Sequence, residues 1–202
     1  MKNTKEKILD AAHELFNLHG VGEVSLRGIA SHMGISHGNL RYHFPSKSLI
    51  LEGLHQRILQ AALEENQQVK GEDINLLSLK DSTERGFSIL YDYRFFMIDL
   101  YRIMQENESL HQTFLEVEKV RAHMYKELIL ASVDHGLMRK EEYKGEYDEL
   151  IVRIRIFSDF WISSAGIYDK LPEKELVRKY ASLLMSMFYP YLTTAGKASN
   201  NR

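Results

Sequence analysis

The chain of 202 residues has no cysteine, three prolines and one tryptophan. Without cysteine there is no disulfide, thiolate zinc site, iron–sulfur cluster or cysteine nucleophile. That fits a reducing compartment. No apolar run approaches the roughly 20 residues a membrane helix needs, and the opening MKNTKEKILDAA lacks the apolar stretch of a secretory signal. A soluble cytoplasmic protein with no membrane partner is therefore expected. A large excess of one charge is also missing, since the formal net charge is −2. Any role on nucleic acid must then rest on a local patch.

Catalytic signatures are absent as well. There is no phosphate-binding loop, no glycine-rich dinucleotide turn after a strand and no nucleophile elbow. The pairs Glu64-Glu65 and Glu141-Glu142 are neighbours in sequence, so on a helix they point in different directions and read as solvated charge. His32, His37 and His43 are five and six residues apart, a spacing that does not stack ligands on one helical face, and no HExxH pattern occurs. The remaining histidines read as helix-surface or helix-end residues. No enzyme, no cofactor and no metal is expected.

What the chain does contain is helix signals. Asn3 can cap a first helix, with Glu6 completing a capping box, and Gly20 ends it. Ser25 can cap a second helix that stops at Gly34. Ser36 can cap a short third helix that Pro45 prevents from continuing. Ser46 then caps a fourth, with Leu49, Ile50, Leu54, Ile58 and Leu59 facing inward. Helix two, the turn Gly34-Ile35-Ser36 and helix three form a helix-turn-helix pattern. On the third helix Leu40 and Phe44 face inward, which leaves His37, Asn39, Arg41, Tyr42 and His43 outward or sideways. Donors on an exposed short helix suit the base edges of a major groove. Gly38 permits close backbone approach, Arg27 reaches the same groove or the adjacent backbone, and Lys47 at a helix start suits a phosphate.

Residues 4–52, with the segments ILDAAHELF, IASHMGIS and YHFPSK, resemble the DNA-binding domain of the TetR family of bacterial transcriptional regulators. The resemblance implies an all-α homodimer with an N-terminal three-helix reading head and a larger C-terminal helical domain for effector binding and dimerisation. It implies a regulator, by family default a repressor, released from a palindromic operator on double-stranded DNA by a small-molecule effector whose identity is unknown. Such a protein is cytoplasmic and nucleoid-associated when bound. Position by position, it places Arg27, His37, Gly38, Asn39, Tyr42 and His43 at bases or nearby sugar-phosphate, and Lys47 at phosphate. Two positions depart from the family pattern: Arg41 stands where an aromatic is common, and Gly28 where a side chain is usual. An architectural or cell-division DNA-binding protein of the same fold, without a ligand, remains the alternative.

The rest of the chain reads as helices near 76–91, 92–106, 109–136, 147–168 and 173–193, after a polar connection at QQVKGEDINL. The domains are expected at 1–50 for the head, 51–194 for the effector and dimerisation domain, and 195–202 for a flexible tail. In YDYRFFMIDLYRIM and beyond it, Phe96, Tyr101, Met104, Tyr125, Phe157 and Trp161 are candidate pocket residues, with plain core as the competing reading. Asp99 and Arg102, three apart, are expected to pair. The last two long helices are apolar over most of their circumference, which suggests burial from two directions and an isologous four-helix interface. Phe160, Tyr180, Leu184, Met187, Phe188 and Tyr191 are its candidate residues.

Overall fold

The computed structural model describes residues 3–68 and 76–199. Of the polar connection read at 67–76, residues 69–75 fall outside them. Among the described residues there are helices, turns and one isolated antiparallel bridge between Met138 and Leu192, and no strand.

The head is built from α1 (Thr4–His19), α2 (Leu26–His32) and α3 (His37–His43). Each start has the cap expected of it. Asn3 Oδ1 accepts from the Glu6 N–H at 2.9 Å, Ser25 Oγ from Gly28 at 3.0 Å and Ser36 Oγ from Asn39 at 3.1 Å. The capping box at Asn3 is only half made, because the Glu6 carboxylate turns to Arg57 of the fourth helix. Gly20 (φ +80°) and Gly34 (φ +65°) take the left-handed turns that end α1 and follow α2. Ile8, Ala12, Phe16, Ile29 and Leu40 have no exposed surface and form the core of the head.

α4 (Lys47–Gln68) carries Ile50 and Leu54 into that core and continues into the larger domain. Ser46 Oγ accepts from the Leu49 N–H at 3.3 Å. Leu49 itself lies outside the core, 40% exposed, contrary to its expected inward place. The C-terminal domain contains α5 (Leu76–Asp92), α6 (Arg94–Ile98), α7 (Leu100–Glu106), α8 (Glu108–Asp134), α9 (Glu146–Tyr168) and α10 (Glu173–Ser186). α5 packs on α4 and α10, α6 on α9 and α1, and α8 on α7 and α9.

Three expectations change. The helix expected at 92–106 is broken at Tyr93 and Asp99, whose backbones leave the helical region; at Tyr93 a residue of the head takes the freed backbone groups, as described below. The helix expected at 173–193 ends at Ser186, where Pro190 and a 3-10 turn over Tyr189–Tyr191 redirect the chain. The end is also more ordered than a frayed tail. α11 (Thr194–Ser199) starts at Thr193, whose hydroxyl accepts from the Gly196 N–H at 3.1 Å and donates to the Gly136 carbonyl at 2.7 Å. The Thr193 N–H bonds the Leu137 carbonyl at 3.0 Å, so the chain end clasps the turn after α8.

Candidate nucleic-acid interface and its attachment to the body

Between Glu23 and Glu52 the chain carries no Asp or Glu, while Arg27, Arg41, Lys47 and three histidines fall within that span. In a chain of net negative charge this is the local patch that nucleic-acid binding requires. The fold turns it outward. Leu40 and Phe44 are buried, whereas Arg27, Gly38, Asn39, Arg41 and Tyr42 are exposed and His37 and His43 half-buried. Tyr42 is 84% exposed, with its ring edge-on to His43 at 5.2 Å. α3 therefore presents a row of donors on a short convex helix, the shape that enters a major groove. At Gly28 a Cβ would meet Ser25 Oγ at 3.5 Å, an ordinary contact, so no steric demand explains the glycine.

Lys47, expected at a phosphate, also has partners inside the head. Its ammonium donates to the carbonyls of Val21 at 2.7 Å and Val24 at 3.3 Å, in the turn between α1 and α2. That turn is also held by the body. The Val21 N–H donates to Asp99 Oδ2 at 3.1 Å, and Arg102 Nη2 donates to the same oxygen at 2.8 Å, which is the expected Asp99–Arg102 pair. Nearby, Asn17 of α1 donates to the Asp92 carbonyl at 2.7 Å and accepts from the Phe95 N–H at 3.2 Å. His13 Nε2 lies 2.7 Å from the same carbonyl, a contact that requires its proton on Nε2. Phe16 meets Phe95 at 5.3 Å. Asn17 thus takes the backbone groups that would otherwise continue α5 into α6. Sequence alone does not reveal this attachment, because Asn17 and its partners stand 75 and 78 residues apart.

The candidate pocket residues do not gather into one site. Phe96 is buried in parallel contact with His55 at 5.4 Å, and Met104 is core. Tyr101 is 71% exposed and points away from any interior pocket, its hydroxyl accepting from Gln105 at 2.7 Å. Trp161 is packed between Phe87 at 4.8 Å and Tyr180 at 5.2 Å, with Phe157 6.5 Å from Phe87. Tyr125 lines a groove of about 460 Å³ between α8 and α9, together with Glu118, Arg121, Ile151 and Arg155. Phe157 borders a separate open groove of about 530 Å³ shared with Ile156 and Met187. Two ring nitrogens in this domain, His55 Nδ1 and Trp161 Nε1, are buried without a hydrogen-bond partner. Burial holds the His55 imidazole below its ordinary value, so it stays neutral among the rings. Glu118 and Asp159, on α8 and α9, carry no signal in the sequence. Burial pushes both carboxyls up, opposed by Arg121 at 3.0 and 3.6 Å.

The expected interface residues divide in the same way. Tyr180, Leu184, Phe188 and Tyr191 are buried within the subunit, Tyr180 against Phe157 and Trp161 and Tyr191 beside Tyr147, although Tyr191 also lines the surface groove that holds Met187. Phe160 is 51% exposed and Met187 half-buried at the surface groove. The exposed apolar stripe on α9 is Val152, Ile156 and Phe160, four residues apart, with exposed Leu183 on α10 and half-buried Met187, the C-cap of that helix, four residues on.

Two family models match the chain. Residues 8–54 match one described as bacterial regulatory proteins, tetR family, and residues 56–199 match TetR, described as a bacterial transcriptional repressor. The HTH-type transcriptional regulator YerO of Bacillus subtilis is 26% identical over 145 residues, covering 69% of this chain and 50% of that protein. The chain thus spans about half the length of this curated relative. A TetR-family regulator from Marinobacter aquaeolei superposes with a TM-score of 0.85 at 23% identity, covering 96% of this chain and 93% of that one. A transcriptional regulator from Saccharomonospora viridis in complex with choline superposes with a TM-score of 0.74 at 19% identity, covering 90% and 95%. These two structures share its fold. With a family model spanning residues 56–199, the chain belongs to the TetR family of bacterial transcriptional regulators.

Proposed function

We propose that this chain is a transcriptional repressor that binds a palindromic DNA operator as a homodimer and leaves it when a small molecule occupies the C-terminal domain. The observation that carries the DNA reading is the acid-free span from Val24 to Leu51, folded so that Arg27, Asn39, Arg41 and Tyr42 are exposed together. Arg41 is free to take a phosphate or a guanine edge. The exposed stripe Val152, Ile156 and Phe160, continued by Leu183 and Met187, supports pairing through α9 and α10. Partnerless Trp161 Nε1 and His55 Nδ1 in the aromatic interior, and the choline found in a structural neighbour, support a ligand-responsive body. A ligand acts only if it binds the DNA-competent and released states with different affinity.

The mutual packing of Trp161, Phe87 and Tyr180 favours a second reading, a DNA-binding protein of this fold that senses no ligand. The test of the DNA reading is substitution within α3. Asn39→Ala is expected to relax base preference at one position of each half-site, a loss of about 1–3 kcal/mol of discrimination. Uniform weakening on every duplex, with preference unchanged, would remove Asn39 from base reading.

A further inference from the structure

We infer that Asp99 and Lys47 are positioning residues for the reading head, acting from opposite sides on the peptide groups of Val21; this rests on the reading that α3 binds duplex DNA. Val21 is buried, 3% exposed, in the turn that follows Gly20. Its N–H is held by Asp99 Oδ2 of the body at 3.1 Å, and its carbonyl by Lys47 Nζ at 2.7 Å. Asp99 is the residue at which α6 gives way to α7, and Arg102 fixes its carboxylate at 2.8 Å. The Arg102 guanidinium closes over the next residue, so a Cβ at Gly22 would lie 2.7 Å from Nη1. Lys47 is the first residue of α4, two past Pro45 and three past Phe44, the C-cap of α3.

A short mechanical path therefore runs from the α6–α7 junction through one residue of the α1–α2 turn to the corner where α3 meets α4. A shift of Asp99 is passed to Lys47 through Val21, and the corner that carries the recognition helix follows. This assigns Lys47 a role other than gripping phosphate. Two of its three ammonium protons are directed at carbonyls of the turn, at 2.7 and 3.3 Å. Only the third proton is left for a phosphate, so the two carbonyl bonds set where the ammonium lies.

A double-mutant cycle on the full chain decides the matter, with the duplex recovered by the wild-type protein from a random pool as the probe. Asp99→Ala and Lys47→Met are each expected to weaken binding about tenfold. Because they act on one residue, the double variant should bind about as weakly as either single one, not about a hundredfold more weakly. The salt dependence of binding should stay as in the wild type, and Asp99→Asn, which keeps an oxygen acceptor for the Val21 N–H, should recover most of the affinity. The inference is overturned by additive losses, by unchanged binding in Asp99→Ala, or by a salt slope that falls by about 0.9 per phosphate in Lys47→Met. Should circular dichroism show Asp99→Ala unfolded, the salt slope of Lys47→Met alone decides between the two roles. Failure to recover any duplex removes the DNA-binding reading and the inference with it. Recovery followed by additive losses removes the inference alone.

Discussion

Gly196 shows how a single missing methyl can hold a chain end in place. A Cβ there would lie 2.1 Å from the Leu137 carbonyl oxygen, a distance no side chain tolerates. The backbone of α11 can therefore lie on the turn after α8 only with glycine at this position. Gly196→Ala is expected to lower stability by about 1–3 kcal/mol, the usual cost of overpacking, or to undock α11 if that is cheaper. Differential scanning calorimetry beside a chain truncated after Thr193 separates the two, and an unchanged melting temperature would contradict the close approach. The small, polar residues of this segment suggest a tail, because composition says nothing about backbone approach. Lys47 is a second case of partners hidden from the sequence: its place at a helix start suggests a phosphate, while the carbonyls it also bonds lie 23 and 26 residues upstream, where no local pattern announces them.

At the scale of the element, helix starts were legible and internal breaks were not. The caps at Asn3, Ser25, Ser36 and Ser46 each act on an N–H three residues ahead, within reach of a local reading. The break at Tyr93 depends on Asn17, from another helix, and the apolar spacing of 92–106 gives no sign of it. The joint between α8 and α9 also depends on a non-helical arrangement. Arg139 donates to both oxygens of Glu146 at 2.7 and 2.9 Å, and the Glu142 N–H donates at 2.8 Å. Arg139, with help from that N–H, holds the Glu146 carboxyl at about 2, well below its ordinary range. Since the folded value lies below the unfolded one, this stabilisation is present above the ordinary carboxylate value of about 4.3 and is lost as pH falls toward the folded value. Glu146→Gln should therefore lower the melting temperature at neutral pH and make its fall from about pH 5 to about pH 3 shallower than in the wild type. Thermal melts across that range check this, and an unchanged acid slope would show that the pair does not stabilise the joint.

For the whole molecule, the division into a three-helix head and a larger all-α body was readable from caps, glycines and apolar spacing. The surface left over for a partner was not. Both long C-terminal helices are apolar nearly all round, and periodicity cannot say which side a third helix covers. Packing of α10 on α5 and α9 leaves Tyr180 and Leu184 inside the subunit, Tyr180 against Phe157 and Trp161, while Val152, Ile156 and Phe160 stay exposed. Ile156→Glu combined with Phe160→Glu should convert a dimer into a folded monomer in sedimentation experiments and weaken operator binding. A dimer that survives both substitutions would place the interface elsewhere. The aromatic interior was legible as a cluster, with core and pocket both open, because ring spacing along a helix does not tell mutual contact from a lined cavity.

The central claim is that two heads on a symmetric dimer read DNA through α3. Selection of bound fragments from a random duplex pool by the full chain tests it most directly. An inverted repeat is expected, with half-sites about one helical turn, roughly 34–36 Å, apart, or a whole multiple of that distance. Recovery of no common sequence, or of a single asymmetric site, would contradict it.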